Sequence, residues 1–249
     1  MSEETTHFGY QSILTAHKTE RVKSVFQSVA NQYDLMNDLM SFGLHRIWKR
    51  IAVSRCHIRP TDYVLDLAGG TGDLSQQFAR QVGSAGKVIL ADINDAMLQK
   101  GRKRLIDKGI LQPVSLVEAN AEILPFKNNC FDRIIMAFGL RNVTYKEKVF
   151  SEMVRVLKPG GRVVILEFSK VSSNIFNDFY HAYSFSVLPK LGKWIAKDEA
   201  SYRYLAESIR MHPDQETLKA MMQEAGLNQC EYQNLNDGIC AIHMGIKTE

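Results

Sequence analysis

The 249 residues carry 31 Lys and Arg against 27 Asp and Glu, a formal charge of +4 at pH 7, and 45% of them are hydrophobic. That is apolar material for one large core with additions rather than two full domains, and a charge far from that of proteins that live on phosphate backbones, so composition gives no support to a nucleic-acid partner. Cys56, Cys130, Cys230 and Cys240 are widely spaced without a Cys-x-x-Cys pair, which excludes the usual zinc and disulfide frameworks and points to a reducing cytoplasm; no metal site is expected.

The first residues, Met1 to His7, are acidic and polar, and no apolar run approaches a membrane-spanning length, so a soluble, cytoplasmic chain is expected. Residues 1–60 lie outside the alternation that follows and are read as a helical extension. From there β-rich runs alternate with helical patterns: strands at 63–67, 87–91, 114–118, 131–137 and 162–168, and helices at 74–81, 94–108 and 146–157. Such alternation predicts βαβ units and a mostly parallel sheet. Lys158-Pro159-Gly160-Gly161 breaks the third helix. Residues 171–210 form an insertion. Pro213-Asp214 opens a helix over 214–225 that Gly226 closes, and two late strands, 229–235 and 239–246, flank an Asn236-Asp237-Gly238 turn. The expected architecture is therefore α/β: a seven-stranded, mostly parallel sheet with an antiparallel C-terminal hairpin and helices on both faces. It is similar to the Rossmann-like class I methyltransferase fold, here as a single domain with extension 1–60, core 61–170, lid insertion 171–210 and C-terminal unit 211–249.

Val64-Leu65-Asp66-Leu67-Ala68-Gly69-Gly70-Thr71-Gly72-Asp73 runs an apolar strand into a glycine turn that opens a helix. Backbone N–H groups there approach a ligand closely at a helix N-terminus. The dinucleotide pattern fails, because Ser75 stands where a third glycine is needed and Asp73 adds negative charge where a pyrophosphate would lie. Asp66 and Asp73 suit a cation instead. S-adenosylmethionine, with an adenosine, an ammonium and a sulfonium, fits this turn, and Asp66, Gly69, Gly70, Thr71 and Gly72 are its expected contacts. Asp92, about 20 residues beyond the turn, stands where an acid accepts hydrogen bonds from ribose hydroxyls, although it also reads as a cap for the helix at Asn94. Asn120 and Ala121, after the third strand, suit the adenine edge, though Asn is also a routine turn residue.

The fourth strand ends in Met136-Ala137-Phe138-Gly139-Leu140-Arg141-Asn142. Amino-methylating enzymes of nucleic acids carry an N/D-P-P-Y/F motif here, which this chain lacks, and Cys130 precedes the strand rather than following it. The segment from Tyr33 to Trp48 (YDLMNDLMSFGLHRIW) resembles the first signature of the ubiquinone/menaquinone biosynthesis C-methyltransferases, the UbiE family. The segment from Arg155 to Ser169 (RVLKPGGRVVILEFS) is similar to the second, and Thr5–Gly9, Phe138–Asn142 and Ser201–Ile209 also look like family sequence.

The resemblance implies methyl transfer from S-adenosylmethionine to a ring carbon of a prenylated quinol, either a benzoquinol precursor of ubiquinone or demethylmenaquinol. It implies cofactor contacts at Thr71, Asp92, Asn120 and Ala121. Ala137 stands where relatives often have serine, so any contact there is through its backbone. A ring carbon becomes nucleophilic when a quinol hydroxyl loses its proton, which calls for a proton acceptor and a phenolate stabiliser. Arg141, with Asn142 beside it, fits the stabiliser; Tyr33, Asp34 and His45 are candidates for proton handling, with packing roles as the plainer reading of Tyr33 and His45.

Eight aromatics between residues 172 and 205 (Phe176, Phe179, Tyr180, Tyr183, Phe185, Trp194, Tyr202 and Tyr204) read as an apolar cover over an isoprenoid chain or as the core of packed helices. Arg46, Lys49, Arg50, Arg55 and Arg59, with no acid between Asp38 and Asp62, read as a peripheral membrane contact or as a solvated helix face. A homodimer and a quinone-biosynthesis assembly are further partner classes. Two alternatives stay open on sequence alone: a nicotinamide (NAD) oxidoreductase and a noncatalytic S-adenosylmethionine-binding protein.

Overall fold

Side chains alternate across the central strands, and this alternation builds the fold. The structure, a computed structural model, describes residues 4–29, 37–38, 41, 43–110, 112–171 and 199–249. Its elements are β1 (Thr5–Phe8), β2 (Gln11–Leu14), α1 (Thr15–Val29), α2 (His45–Arg55), β3 (Tyr63–Leu67), α3 (Asp73–Ala79), β4 (Lys87–Asp92), α4 (Asp95–Asp107), β5 (Val114–Glu118), β6 (Phe131–Ala137), α5 (Lys146–Val156), β7 (Leu157–Phe168), α6 (Glu199–Met211), α7 (Gln215–Glu224), β8 (Asn228–Leu235) and β9 (Cys240–Ile246). In β3, β6 and β7, Val64, Ile135, Val164 and Leu166 face one core, which Val22 of α1, Trp48 of α2, Phe78 of α3 and Leu205 of α6 complete. Leu65, Ile134, Met136, Val163 and Ile165 face the other, closed by Val149 and Phe150 of α5 and Leu218 and Met222 of α7. Two apolar faces on one strand are what a sheet covered by helices on both sides requires.

The seven-stranded sheet runs β5-β4-β3-β6-β7-β9-β8. The first five strands in this order are mutually parallel, and β9 is antiparallel to both β7 and β8. The chain leaves β3 toward β4 and β5, then returns to the other side of β3 for β6, so a crevice opens beyond the carboxyl ends of β3 and β6.

Several boundaries differ from the sequence reading. The N-terminal extension is not wholly helical, because Thr5–Phe8 and Gln11–Leu14 pair as an antiparallel hairpin around Gly9, whose φ is +58°. α5 ends at Val156, and β7 begins at once, with Leu157 opposite Phe131. The register then shifts before Arg133 pairs with Arg162. The Pro-Gly-Gly segment inside this irregularity finds its partners at the chain's end: Gly160 N–H donates to Lys247 O (2.7 Å) and Lys247 N–H to Gly161 O (3.1 Å). Finally, Asn94 and Asp214 cap their helices rather than opening them, their side-chain oxygens accepting from Met97 N–H (3.3 Å) and Thr217 N–H (2.8 Å).

Candidate active site

A cavity lies in that crevice, about 810 Å³ of non-atom space that is partly open to solvent. Its described wall comes from the ends of four strands and from α1: Leu67, Ala68 and Gly70 after β3, Asp92 to Asn94 after β4, Ala119 to Glu122 after β5, Phe138, Gly139 and Asn142 after β6, and Thr19, Val22, Lys23 and Phe26 of α1. The loops after β3 and β6 come together at its floor, where a Cβ on Gly139 would lie 2.7 Å from Ala68 Cβ. Ala68 and Phe138, one on each loop, both have left-handed backbones, with φ of 55° and 58°. Such conformations cost side-chain-bearing residues on the order of 1–3 kcal/mol each and concentrate at functional sites.

Of the glycine turn, only Gly70 belongs to the described wall. Its φ is +55°, and its N–H donates to Asp92 Oδ2 (2.9 Å), while Asn94 N–H donates to Asp92 Oδ1 (2.9 Å). The acid expected to bind ribose therefore also fixes the turn. Burial pushes the Asp92 carboxyl up to about 6, against the pull of its backbone donors.

Asp66 is placed differently from the expected cofactor contact. It is wholly buried and outside the described cavity wall; Ser75 Oγ donates to its Oδ2 (2.6 Å), and its carboxyl packs against Gly69. Burial raises it to about 7. Its place supports the turn from behind. Gly69, Thr71 and Gly72 likewise shape the turn without joining the described wall.

The cation that Asp73 meets is internal: Lys49 Nζ lies 2.8 Å from its carboxylate. Burial opposes the charge on Asp73, but Lys49 outweighs it and holds the carboxyl below its usual range. At the adenine side, Asn120 Oδ1 accepts from Glu122 N–H (2.9 Å), so the Nδ2 group and the Ala121 backbone are what Asn120-Ala121 has left to offer.

On the opposite wall, Ala137 ends β6 opposite Leu166 of β7 and is absent from the described wall. Leu140–Asn142 form a short 3-10 turn. Arg141 is buried: Nη1 donates to Glu167 Oε1 (2.6 Å) and to Phe138 O (2.7 Å), and its guanidinium carbon lies 5.4 Å from the Phe168 ring centroid. Both side chains of the Arg141–Glu167 pair are only 1% exposed. Glu167 also accepts from the N–H groups of Arg141 (3.2 Å) and Phe168 (2.9 Å). A pair this dry depends on its mutual partners, and among the described residues Arg141 Nε is buried without one. Asn142, by contrast, lines the cavity.

His45 lies outside the described wall. It is buried, its Nε2 2.9 Å from Asp38 Oδ1, with Arg46 on the other carboxylate oxygen (2.7 Å). Burial and then Lys49 keep its pKa below the usual histidine value. Tyr33 and Asp34 lie outside the described residues, as do Phe176, Phe179, Tyr180, Tyr183, Phe185 and Trp194. Tyr202 and Tyr204 are described and buried in α6.

Glu167, Lys23 and Phe26 are site or supporting residues that sequence reasoning passed over. Only Glu167 left a signal, as an acid inside the apolar run Val163–Phe168 that a doubly covered strand tolerates only with a partner.

The residues present fit S-adenosylmethionine. Among the described wall residues the charged side chains are Asp92, Glu122 and Lys23, which gives a cationic sulfonium better company than a pyrophosphate. Comparison with known proteins agrees. The model of the ubiE/COQ5 methyltransferase family matches residues 14–247. The chain is 58% identical over 246 residues to a ubiquinone/menaquinone biosynthesis C-methyltransferase UbiE from Pseudomonas aeruginosa (strain LESB58), covering 99% of this chain and 96% of that one. It is also 58% identical to the protein of the same name from Enterobacter sp. (strain 638), covering 99% and 98%. A SAM-dependent methyltransferase from Aquifex aeolicus shares the fold, with a TM-score of 0.61 at 17% identity over 90% of this chain and 97% of its own. With its motifs, its sheet order and the full-length similarity in agreement, the chain belongs to the ubiE/COQ5 methyltransferase family.

Proposed function

We propose that this chain transfers the methyl group of S-adenosylmethionine to a ring carbon of a prenylated quinol in ubiquinone or menaquinone biosynthesis. Full-length similarity to C-methyltransferases of that name carries the reading. The cavity adds the physical support: a backbone cradle and a ribose-type acid stand across from Asn142 in one enclosure. The nicotinamide and noncatalytic alternatives find no support among these relatives.

When bound, S-adenosylmethionine supplies an activated methyl on a positive sulfur. Asp92 accepts from ribose hydroxyls, and the Asn120-Ala121 segment meets the adenine edge. Holding two reactants in line contributes up to ~7–11 kcal/mol of barrier lowering in favourable cases. Gly70, Phe138 and Gly139 fix where the two reactants meet. Asn142 faces the quinol oxygen as its proton leaves, and Arg141, its charge matched by Glu167, braces the turn that carries Asn142. Tyr33 keeps its assignment to proton handling. His45 has a second role, bracing the start of α2 through Asp38.

Among the described residues no helix is long and apolar enough to cross a membrane. Three of the five cations in the basic segment are engaged internally, Arg46 with Asp38, Lys49 with Asp73 and Arg55 with Gln233. For Lys49, the buried one of the three, this is a structural use, while Arg46 and Arg55 stay at the surface.

The test is transfer of labelled methyl from S-adenosylmethionine to short-chain demethylmenaquinol and to the ubiquinol precursor, with product analysis on carbon. Methylation of either supports the reading, and each yield assigns its branch. No transfer to both, under reducing conditions, overturns it.

A further inference from the structure

We propose that Tyr204 is a positioning residue whose hydroxyl sets the orientation of the Asn142 amide, so that the side chain offers its NH₂ group, and not its carbonyl, to the quinol oxygen. The inference rests on the functional reading above and assigns a task to a residue that lies 62 positions from the one it orients.

Tyr204 Oη lies 3.0 Å from Asn142 Oδ1. An amide places oxygen on one side and nitrogen on the other, and hydrogen bonding decides which is which. The other end of the Asn142 amide lies 3.4 Å from Phe138 O. A carbonyl facing a carbonyl at that distance is repulsive, so the Phe138 side takes Nδ2 and the Tyr204 side takes Oδ1. Tyr204 must then donate. Burial raises its hydroxyl far above the ordinary tyrosine value, so the proton stays on it throughout the working pH range. With Oδ1 occupied, the second Nδ2 hydrogen is the polar group Asn142 has left for the cavity. A donor there stabilises an oxygen that gains negative charge, whereas a carbonyl would repel it.

Tyr204 itself is held. Its ring stacks on Phe8 of the N-terminal hairpin at 4.1 Å between centroids and 17° between planes. The hairpin turn is tied to the same helix, because Tyr10 N–H donates to Glu207 Oε2 (3.0 Å). Hairpin, α6 and the turn after β6 thus form one brace, which gives β1 and β2 a function that the cavity wall alone does not.

Tyr204→Phe removes the hydroxyl and keeps the stacking ring. Losing one neutral hydrogen bond corresponds to about a tenfold fall in kcat, with S-adenosylmethionine affinity within about twofold of wild type. Because Tyr204 acts through Asn142, the double variant Tyr204→Phe/Asn142→Ala is no slower than Asn142→Ala. In ¹H–¹⁵N spectra, the side-chain amide pair that disappears in Asn142→Ala shifts and broadens in Tyr204→Phe, whether or not substrate is present. Wild-type kcat in either single variant, multiplicative losses in the double variant, or an unmoved amide pair overturns the proposal. A wild-type enzyme that methylates no quinol, while the amide pair still responds to Tyr204→Phe, strikes the functional reading and leaves the orientation of Asn142 standing.

Discussion

On the β3–β4 side the cavity is walled by backbone: Gly70 N–H and Asn94 N–H divide one carboxylate between them, and both donors lie within 22 residues of Asp92. On the β6–β7 side Asn142 lines it, backed by buried side chains, with Arg141 joined to Glu167 across 26 positions and Asn142 to Tyr204 across 62. The first wall is shaped by the glycine turn, whose Gly69, Gly70 and Gly72 N–H groups donate to Ala91 O, Asp92 Oδ2 and Gly69 O. The second is a network of buried charges and hydroxyls, and none of it forms until distant elements have packed. The two walls therefore differ in what a mutation breaks: the shape of the cavity on one side, the fold itself on the other.

The largest expected effect tests that contrast directly. Glu167→Ala leaves the Arg141 charge buried without its partner and lowers unfolding free energy by about 3–5 kcal/mol in urea titration. Replacing both residues with apolar ones, Arg141→Met/Glu167→Leu, recovers most of that stability while abolishing turnover. A loss under about 1 kcal/mol for Glu167→Ala would break the comparison. Next, Asp92→Ala weakens S-adenosylmethionine binding by about 10–100-fold in calorimetry, the loss of charge-assisted hydrogen bonds, and an unchanged affinity refutes the ribose assignment.

A third prediction uses pH. Asp92 and Asp66 keep their protons to about 6 and about 7 in the folded chain, against an ordinary value of 3.8. Between pH 4 and 7 the native state thus binds more protons than the unfolded state, and the contribution of these groups to stability falls as pH rises through that window. Asp66→Asn flattens the decline. Cofactor affinity runs the other way, rising through about pH 6 as Asp92 ionises; a parallel trend in both would dismiss the assignment of Asp92. The smallest effect separates the two strained loops. Ala68→Gly relieves a left-handed alanine and raises stability by about 0.5–1 kcal/mol. Phe138→Gly relieves the same strain but loses a ring packed at 4.9 Å from Phe168, and it destabilises.

What was legible in the sequence follows the same divide. The five parallel strands and the glycine turn are written in local pattern, apolar runs and turn residues, so they are read without a structure, and the structure puts Asp92 on the cavity wall. Asn142 is legible because it sits at a strand end. At Asp66 and Asp73 sequence shows the acids and not the partners, Ser75 and Lys49, that the structure gives them. Tyr204 reads as one more aromatic in a rich segment, since nothing local shows that its hydroxyl reaches Asn142. The bond from Trp48 Nε1 to Asn236 Oδ1 (2.7 Å), which ties α2 to the hairpin turn before β9, spans 188 positions and has no local signature. The hairpin at Thr5–Leu14 is short and polar, and its stability comes from packing on α6 rather than from strand propensity.

The position of β9 has a consequence in time. It is the last strand in sequence, yet it lies between β7 and β8, with Ala241 opposite Glu167 and Cys240 opposite Phe168. On a ribosome, β3, β4 and β5 are free to pair once the first half of the chain has emerged. The strand carrying Glu167 keeps an open edge until residues 240–246 have emerged as well. The nascent protein thus acquires the β3–β5 framework well before it completes the β6–β7 wall, and through that interval the edge of β7 is exposed to mispairing and to chaperones.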